Sequence, residues 1–231
     1  MIGIDEVGVT SIAGPLVACA LRIDPELLKP LMYYSEKEMV PIKDSKQLSP
    51  EAREYFNREI KYLVKEHGGY ISVVAISVDY LNQHNIYRAA EEAKRRLLKR
   101  VLKRFPNDEI IVDGNVSKSF GSQYPSNVQF IPKADEQYII VSAASIIAKV
   151  HRDTMMTKLA KRFPYYDWES NKGYPSPKHW DGIRKHGFSP LHRVLFIKGW
   201  KLLQEDVVLQ HQLQKFEELY HDRDNPDGAS R

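Results

Sequence analysis

Two acids stand side by side near the start of the chain, in the run Ile2-Gly3-Ile4-Asp5-Glu6-Val7-Gly8. Ile and Val suit a pleated, half-buried surface, so this run predicts a strand that ends in two carboxylates. Ionised groups leave water at high cost unless something compensates them, and a divalent cation is the direct compensation. Asp113 follows a second short apolar run, Glu109 to Val112, and Asp135 precedes a long apolar stretch at helical spacing. In α/β sheets functional groups collect at strand ends. Four carboxylates converging there would repel one another unless cations held them. Ligands made only of oxygen select Mg²⁺ or Mn²⁺ over zinc, and a pair of such ions about 3.5–4 Å apart supports in-line attack of water on a phosphodiester. Taken singly, Asp113-Gly114 reads as a turn and Lys133-Ala134-Asp135 as a helix cap. The joint occurrence of all four acids at element ends carries the argument.

Basic groups divide in the same way. Lys94, Arg95, Arg96, Lys99, Arg100, Lys103 and Arg104 crowd one helix, and such runs are read as a solvated face before a phosphate-tracking one. Lys43, Lys46, Lys133 and Lys149 lie in or beside the loops that carry the acids and are better phosphate candidates. Lys172-Gly173-Tyr174 joins a cation, a flexible backbone and an aromatic, a combination suited to stacking on a base or sugar.

The elements that must position these groups follow from pattern. Leu16 to Ile23 predicts a second strand, paired with the first as a hairpin. Ser49-Pro50-Glu51 is a helix start, with a cap, Pro at the first position and an early acid; the helix runs to about His67. A strand from Tyr70 to Val78, a helix from Asn85 to Arg104, short strands at 109–112 and 128–131, and a helix from Ile139 to Arg162 follow. Short helices are expected at 179–185 and 191–196, and a last one at 207–220. Strands first, then alternating strands and helices, then helices alone, predict a mixed α/β sheet with a helical C-terminal part.

The 231 residues are 42% hydrophobic and 28% charged, with a formal net charge of +4 and one cysteine. That composition is globular, excludes an internal disulfide framework and fits a reducing compartment. No secretory leader pattern and no apolar run of about 18 residues is present. A cytoplasmic monomer without membrane contact is expected.

The motifs together resemble ribonuclease HII, the type 2 ribonuclease H family. The matching pieces are Gly3-Ile4-Asp5-Glu6-Val7-Gly8, Gly14-Pro15-Leu16-Val17, Lys43 to Ser49, Val112-Asp113-Gly114, Lys133-Ala134-Asp135, Val141 to Val150 with Arg152-Asp153, Lys172-Gly173-Tyr174 and Ser189-Pro190-Leu191-His192-Arg193. The resemblance implies a ribonuclease H-like α/β fold, with a central mixed five-stranded sheet flanked by helices. It divides the chain into a catalytic domain (1–162), a C-terminal helical extension on the same unit (163–222) and a flexible tail (223–231). It implies hydrolysis of the RNA strand of RNA/DNA hybrids, and of ribonucleotides embedded in duplex DNA, leaving 5′-phosphate and 3′-hydroxyl ends. Asp5, Glu6, Asp113 and Asp135 become the catalytic, metal-holding acids for Mg²⁺ or Mn²⁺. Tyr174 becomes the residue that packs on the deoxyribose after the ribonucleotide. Gly8, Val9, Thr10, Lys43, Ser45, Lys46, Lys133, Ser142, Lys149, His192 and Arg193 fall in segments that line or support the nucleic-acid face.

One departure stands out. The family has Gly-Arg-Gly or Gly-Lys-Gly after the first acids, and here the positions read Gly8-Val9-Thr10. Val9 carries no charge for a phosphate, and β-branched Thr10 restricts a loop where Gly would be free. Hydrolysis should survive with weakened choice of a lone ribonucleotide. The alternatives are a binding protein with reduced catalysis, or another metal-dependent nuclease on the same fold. Gln210, Leu213 and Phe216 loosely match a sliding-clamp-binding peptide. The plainer reading there is an amphipathic helix packed on its own domain.

Overall fold

The structure, a computed structural model, describes residues 1–35, 38–43 and 45–224. Asp44 of the Lys43–Ser49 motif and residues 225–231 of the expected tail lie outside the described residues. The chain divides into two compact units, and β1 (Ile2–Val7) opens the first. β2 (Leu16–Arg22) pairs antiparallel to it, with Ile2 opposite Arg22 and Val7 opposite Val17. β5 (Tyr70–Ile76) pairs antiparallel to β2. On the other side β6 (Ile110–Asp113) runs parallel to β1, and β7 (Val128–Ile131) parallel to β6. The order β5-β2-β1-β6-β7 makes the mixed five-stranded sheet that the sequence predicts. β3 (Met32–Tyr34) and β4 (Met39–Pro41) form a separate two-stranded hairpin.

Helices of the first unit flank this sheet. α1 (Pro50–Glu66) starts as its residues dictate: Ser49 accepts a hydrogen bond from the Ala52 amide, and Pro50 takes the first position. α2 (Val78–Gln83), which belongs to the second unit, was not expected. Ser77 caps it through the Tyr80 amide, so β5 stops two residues earlier than its apolar pattern suggests. α3 (Ile86–Arg104) follows, then the short α4 (Lys118–Gly121), α5 (Ala134–Gln137) and the long α6 (Ile139–Arg162). α6 lies against β1 at the one place where a side chain is missing: a Cβ on Gly3 would come within 2.6 Å of the Ile140 carbonyl oxygen.

The first unit comprises Met1–Val9, Leu16–Ile76 and Tyr87–Asp153. The second takes Thr10–Pro15, Ser77–Ile86 and Thr154–Arg231. Its helices are α2, the end of α6, α7 (Trp168–Asn171), α8 (Pro177–His186), α9 (Val194–Ile197), α10 (Lys201–Glu205) and α11 (Val207–Asp224). They enclose a core of its own, built on Ile12, Met156, Tyr166, Trp168, Trp180, Ile183, Ile197 and Leu209. Among the described residues no helix is long and apolar enough to cross a membrane.

Candidate active site

The parallel pairing of β1 with β6 sets the geometry. Ile4 lies opposite Val112 in the ladder, so Asp5 and Asp113 follow one step beyond as neighbours on adjacent strands. Asp5 is 4% exposed and accepts the Glu6 amide at 2.7 Å. Burial pushes its carboxyl well above the ordinary 3.8, the charges of Glu6 and Asp113 push it further, and a hydrogen bond from Ser145 opposes them. Glu6 is raised for the same first reason, with the Lys94 charge opposing. Asp113 Oδ1 accepts the Ala134 amide at 2.7 Å, which ties the end of β6 to the start of α5. Asp135, buried inside α5, stands 3.6 Å from the Lys46 ammonium, and that same ammonium acts on Glu6. The four predicted acids therefore share one electrostatic neighbourhood.

Among the described residues, no three acidic, histidine or cysteine side chains gather closely enough to hold a metal ion as they stand. Ammonium and amide donors occupy the carboxylates instead. The chemistry of the set nevertheless fits a hard cation: every donor is oxygen. Glu6 Oε2 is buried and has no hydrogen-bond partner, and such a buried acceptor is costly unless a ligand completes it.

Lys94 corrects the reading of its helix as a uniformly solvated face. It is 2% exposed, and its ammonium lies 3.2 Å from Glu6 Oε1. Its neighbours behave as a surface run should: Arg95 and Arg96 both pair with Glu92, and Arg100 donates to Ser72. The signal that could have found Lys94 is its period, since it shares the buried stripe of Leu97, Leu98 and Val101.

The loop residues fall into two kinds. Lys43, Gln47, Asp135 and Ser142 line a groove in the first unit. Ser45 is buried and holds the loop from within, its hydroxyl 2.8 Å from that of Ser145, while Arg53 donates to its carbonyl. Ser142 donates to the Asp135 carbonyl at 2.5 Å and so fixes α5 on α6. Lys149 pairs with Asp153 at 2.9 Å. Lys133, in left-handed conformation with φ of 57°, pairs with Glu136 on the surface. Gly8 has φ of 88°, and its missing side chain leaves room for the buried Arg152 guanidinium. Val9 is half-buried and Thr10 exposed.

In the second unit, Gly173, with φ of 81°, accepts both the Ile12 and the Ala13 amides through its carbonyl. Lys172 donates to Thr157 at 2.8 Å. Tyr174 is half-buried, and its carbonyl lies 2.9 Å from His179 Nδ1. His192 and Arg193 are wholly buried, so they support this unit rather than line its surface. Arg193 donates from Nε to the Gly14 carbonyl at 2.8 Å. His192 Nδ1 accepts the Ser189 amide at 2.8 Å, which leaves its proton on Nε2, 3.1 Å from His179 Nε2. His179 must carry its own proton on Nδ1 to bond the Tyr174 carbonyl, so its Nε2 accepts from His192 and from Trp168 Nε1. Sequence reading missed His179, which has no place in the quoted motifs. In α11, Leu213 packs on the unit's core and the Phe216 ring meets that of Phe188.

A five-stranded mixed sheet that carries Asp5 and Glu6 late in β1 and Asp113 at the end of the adjacent parallel β6 has the ribonuclease H-like architecture, a class of α/β nucleases. The family model for ribonuclease HII matches residues 2–199. The chain belongs to the ribonuclease HII family and is a hydrolytic ribonuclease H. It is 39% identical over 199 residues to the ribonuclease HII of Anaplasma phagocytophilum, covering 85% of each chain. Its structure is similar to that of ribonuclease H2 from Pyrococcus horikoshii, with a TM-score of 0.67 and 29% identity over 93% of this chain and 98% of that one. It is also similar to ribonuclease HII in its complex with PCNA from Archaeoglobus fulgidus, with a TM-score of 0.66 and 26% identity over 89% and 97% of the two chains.

Proposed function

We propose that Asp5, Glu6, Asp113 and Asp135 hold the divalent cations, Mg²⁺ or Mn²⁺, with which this chain cuts the RNA strand of RNA/DNA hybrids. The observation that carries this reading is the placement of Asp5 and Glu6 on β1 beside Asp113 on the adjacent parallel β6, together with the buried, partnerless Glu6 Oε2. Such cations, when bound, activate water and offset charge on the scissile phosphate. The chain's own residues do the rest. The Ala134 amide fixes one oxygen of Asp113 and leaves the other to a cation. Ser142 holds the backbone of Asp135 in place. Lys46 is mostly exposed yet reaches Asp135, so it can swing from that acid to a substrate phosphate. Tyr174 takes the deoxyribose after the ribonucleotide, its backbone held by His179 and by Asn171. The products are a 5′-phosphate and a 3′-hydroxyl.

Selectivity is where this chain departs from its family. Val9 offers a phosphate no charge, and the basic Arg152 behind Gly8 is fully buried. Incision at a single embedded ribonucleotide is therefore weaker than cleavage of a continuous hybrid. A panel of three substrates, all-RNA hybrid, four ribonucleotides in DNA and one ribonucleotide in DNA, each with Mg²⁺ and Mn²⁺, tests both parts. Cleavage of the first two above the third is expected. A strong preference for the single ribonucleotide would overturn the selectivity reading, and metal-independent cutting would overturn the site.

The Archaeoglobus fulgidus structure named above is a complex with PCNA, and the Gln210, Leu213, Phe216 spacing in α11 is the candidate clamp contact here. Leu213 and Phe216 already pack on the second unit, so clamp binding through them requires α11 to leave its seat. A pull-down with a sliding clamp, with and without residues 205–231, decides it: loss of capture on truncation supports the contact.

A further inference from the structure

α3 buries Ala89, Ala93, Leu97, Leu98 and Val101, and Lys94 stands in the same stripe. Residues three and four apart share a helix face, so this seat is one that an apolar side chain would ordinarily fill. A lysine there loses its water and must be paired. Its partner is Glu6, at 3.2 Å. Its other neighbour is the turn after Asp113: a Cβ on Gly114 would stand 3.1 Å from the Lys94 ammonium and 4.0 Å from Glu6 Oε1. Gly114, with φ of 91°, thus leaves space that the ammonium uses. A positive charge is built into the gap between the end of β1 and the turn that follows β6.

We propose that Lys94 is a tethered countercation of the acid cluster, competing with a divalent metal ion for Glu6. The proposal rests on the assignment of Glu6 and Asp113 as metal-holding groups. Four carboxylates with the ammoniums of Lys94 and Lys46 leave a formal charge that one divalent ion neutralises. Lys46 is 76% exposed and can withdraw into water, whereas Lys94, enclosed on α3, has no such exit. A second ion must therefore displace Lys94 from Glu6, and the chain's demand for metal at this end of the cluster is lowered by a charge it carries itself.

The test is Mn²⁺ binding to the full chain without nucleic acid, by titration calorimetry and the Mn²⁺ spin-resonance signal. It compares the wild type with Lys94→Met, which keeps the length and removes the charge, and with Asp113→Asn. Lys94→Met should bind Mn²⁺ about tenfold tighter, equivalent to ~1.4 kcal/mol, and gain more in melting temperature on Mn²⁺ addition than the wild type does. Unchanged or weaker binding overturns the proposal. Lys94→Gln carries the same expectation should Lys94→Met fail to fold. Folding of either variant only when Mn²⁺ is present supports competition, and failure of both even with Mn²⁺ makes Lys94 purely structural and overturns it. Asp113→Asn should bind Mn²⁺ more weakly in every case. If it binds as the wild type does, the acid-site assignment falls, and that result is distinct from any result at Lys94.

Discussion

His192 donates a hydrogen bond from Nε2 to Nε2 of His179 across 3.1 Å, and His179 in turn donates from Nδ1 to the Tyr174 carbonyl at 2.9 Å. These two hydrogen bonds and the one His192 accepts from Ser189 hold together only while both rings are neutral. Burial keeps His192 well below the ordinary histidine value and brings His179 down to about 4.

Acid should therefore loosen the second unit. The folded value of His179 lies below its unfolded value of 6.5, so between the two the unfolded chain binds a proton that the folded chain does not. Stability falls as pH drops through 6.5, and the loss is complete near 4. It amounts to up to about 3 kcal/mol from this residue alone. Melting temperatures from pH 7.5 to 4.5 should decline, and His179→Gln, less stable at pH 7.5, should show a flatter decline. An equally steep slope in the variant would assign the acid sensitivity elsewhere.

The contrast between His192 and Lys94 shows what the sequence could and could not disclose. β1, β2, β6, β7 and α6 were legible because apolar period and length agree, and α1 because Ser49-Pro50 states its own start. Asp5, Glu6 and Asp113 could be placed late in their strands because each follows an apolar run, whereas Asp135, expected before a helix, lies inside the short α5. α4, α5 and α7 have four residues each, too few to show a helical period, whereas α9 overlaps the short helix expected at 191–196. β3 and β4, three residues each, carry no alternation long enough to read. His192 and Arg193 belong to a recognisable motif, yet a motif marks a constrained residue without saying whether it touches substrate or holds a loop from behind. Lys94 was hidden by company: counted with its charged neighbours it looks solvated, counted with Leu97 and Val101 it is core.

Asp113→Asn should abolish turnover and spare the fold. Asn keeps an oxygen to accept the Ala134 amide that now bonds Asp113 Oδ1, so the tie between β6 and α5 persists. What is lost is a charge in the cluster. A loss on the order of 10³-fold in hydrolysis of an all-RNA hybrid is expected, with melting temperature within a few degrees of the wild type. Near-normal activity would show that Asp113 is not part of the site.

Metal affinity should rise with pH. Burial raises Asp5 and Glu6 above their ordinary values, so in the metal-free protein protons persist on them where exposed acids would be ionised. A cation must displace those protons to bind. The rise in melting temperature caused by Mn²⁺ should be larger at pH 8 than at pH 5.5. Without metal the same two groups act in the opposite sense to His179: the folded state binds the extra protons, so their contribution favours folding as pH falls toward the ordinary carboxylate value. An Mn²⁺ effect independent of pH would mean that Asp5 and Glu6 are not its ligands.

The last prediction concerns how the chain chooses its substrate. Gly8 has a positive φ and backs onto buried Arg152, so the loop has its turn but no exposed cation at Val9. A charge-assisted bond to phosphate contributes about 1.5–3 kcal/mol, which corresponds to roughly tenfold or more in rate. Val9→Arg combined with Thr10→Gly should therefore raise incision at a single ribonucleotide in duplex DNA about tenfold relative to cleavage of a continuous hybrid. The effect should shrink as salt rises, because a phosphate contact is screened. Val9→Leu, which adds bulk without charge, should leave the ratio where it stands. If the double variant raises both activities equally, the gain is general affinity for nucleic acid. Val9 would then not be a position that sets this chain's selectivity.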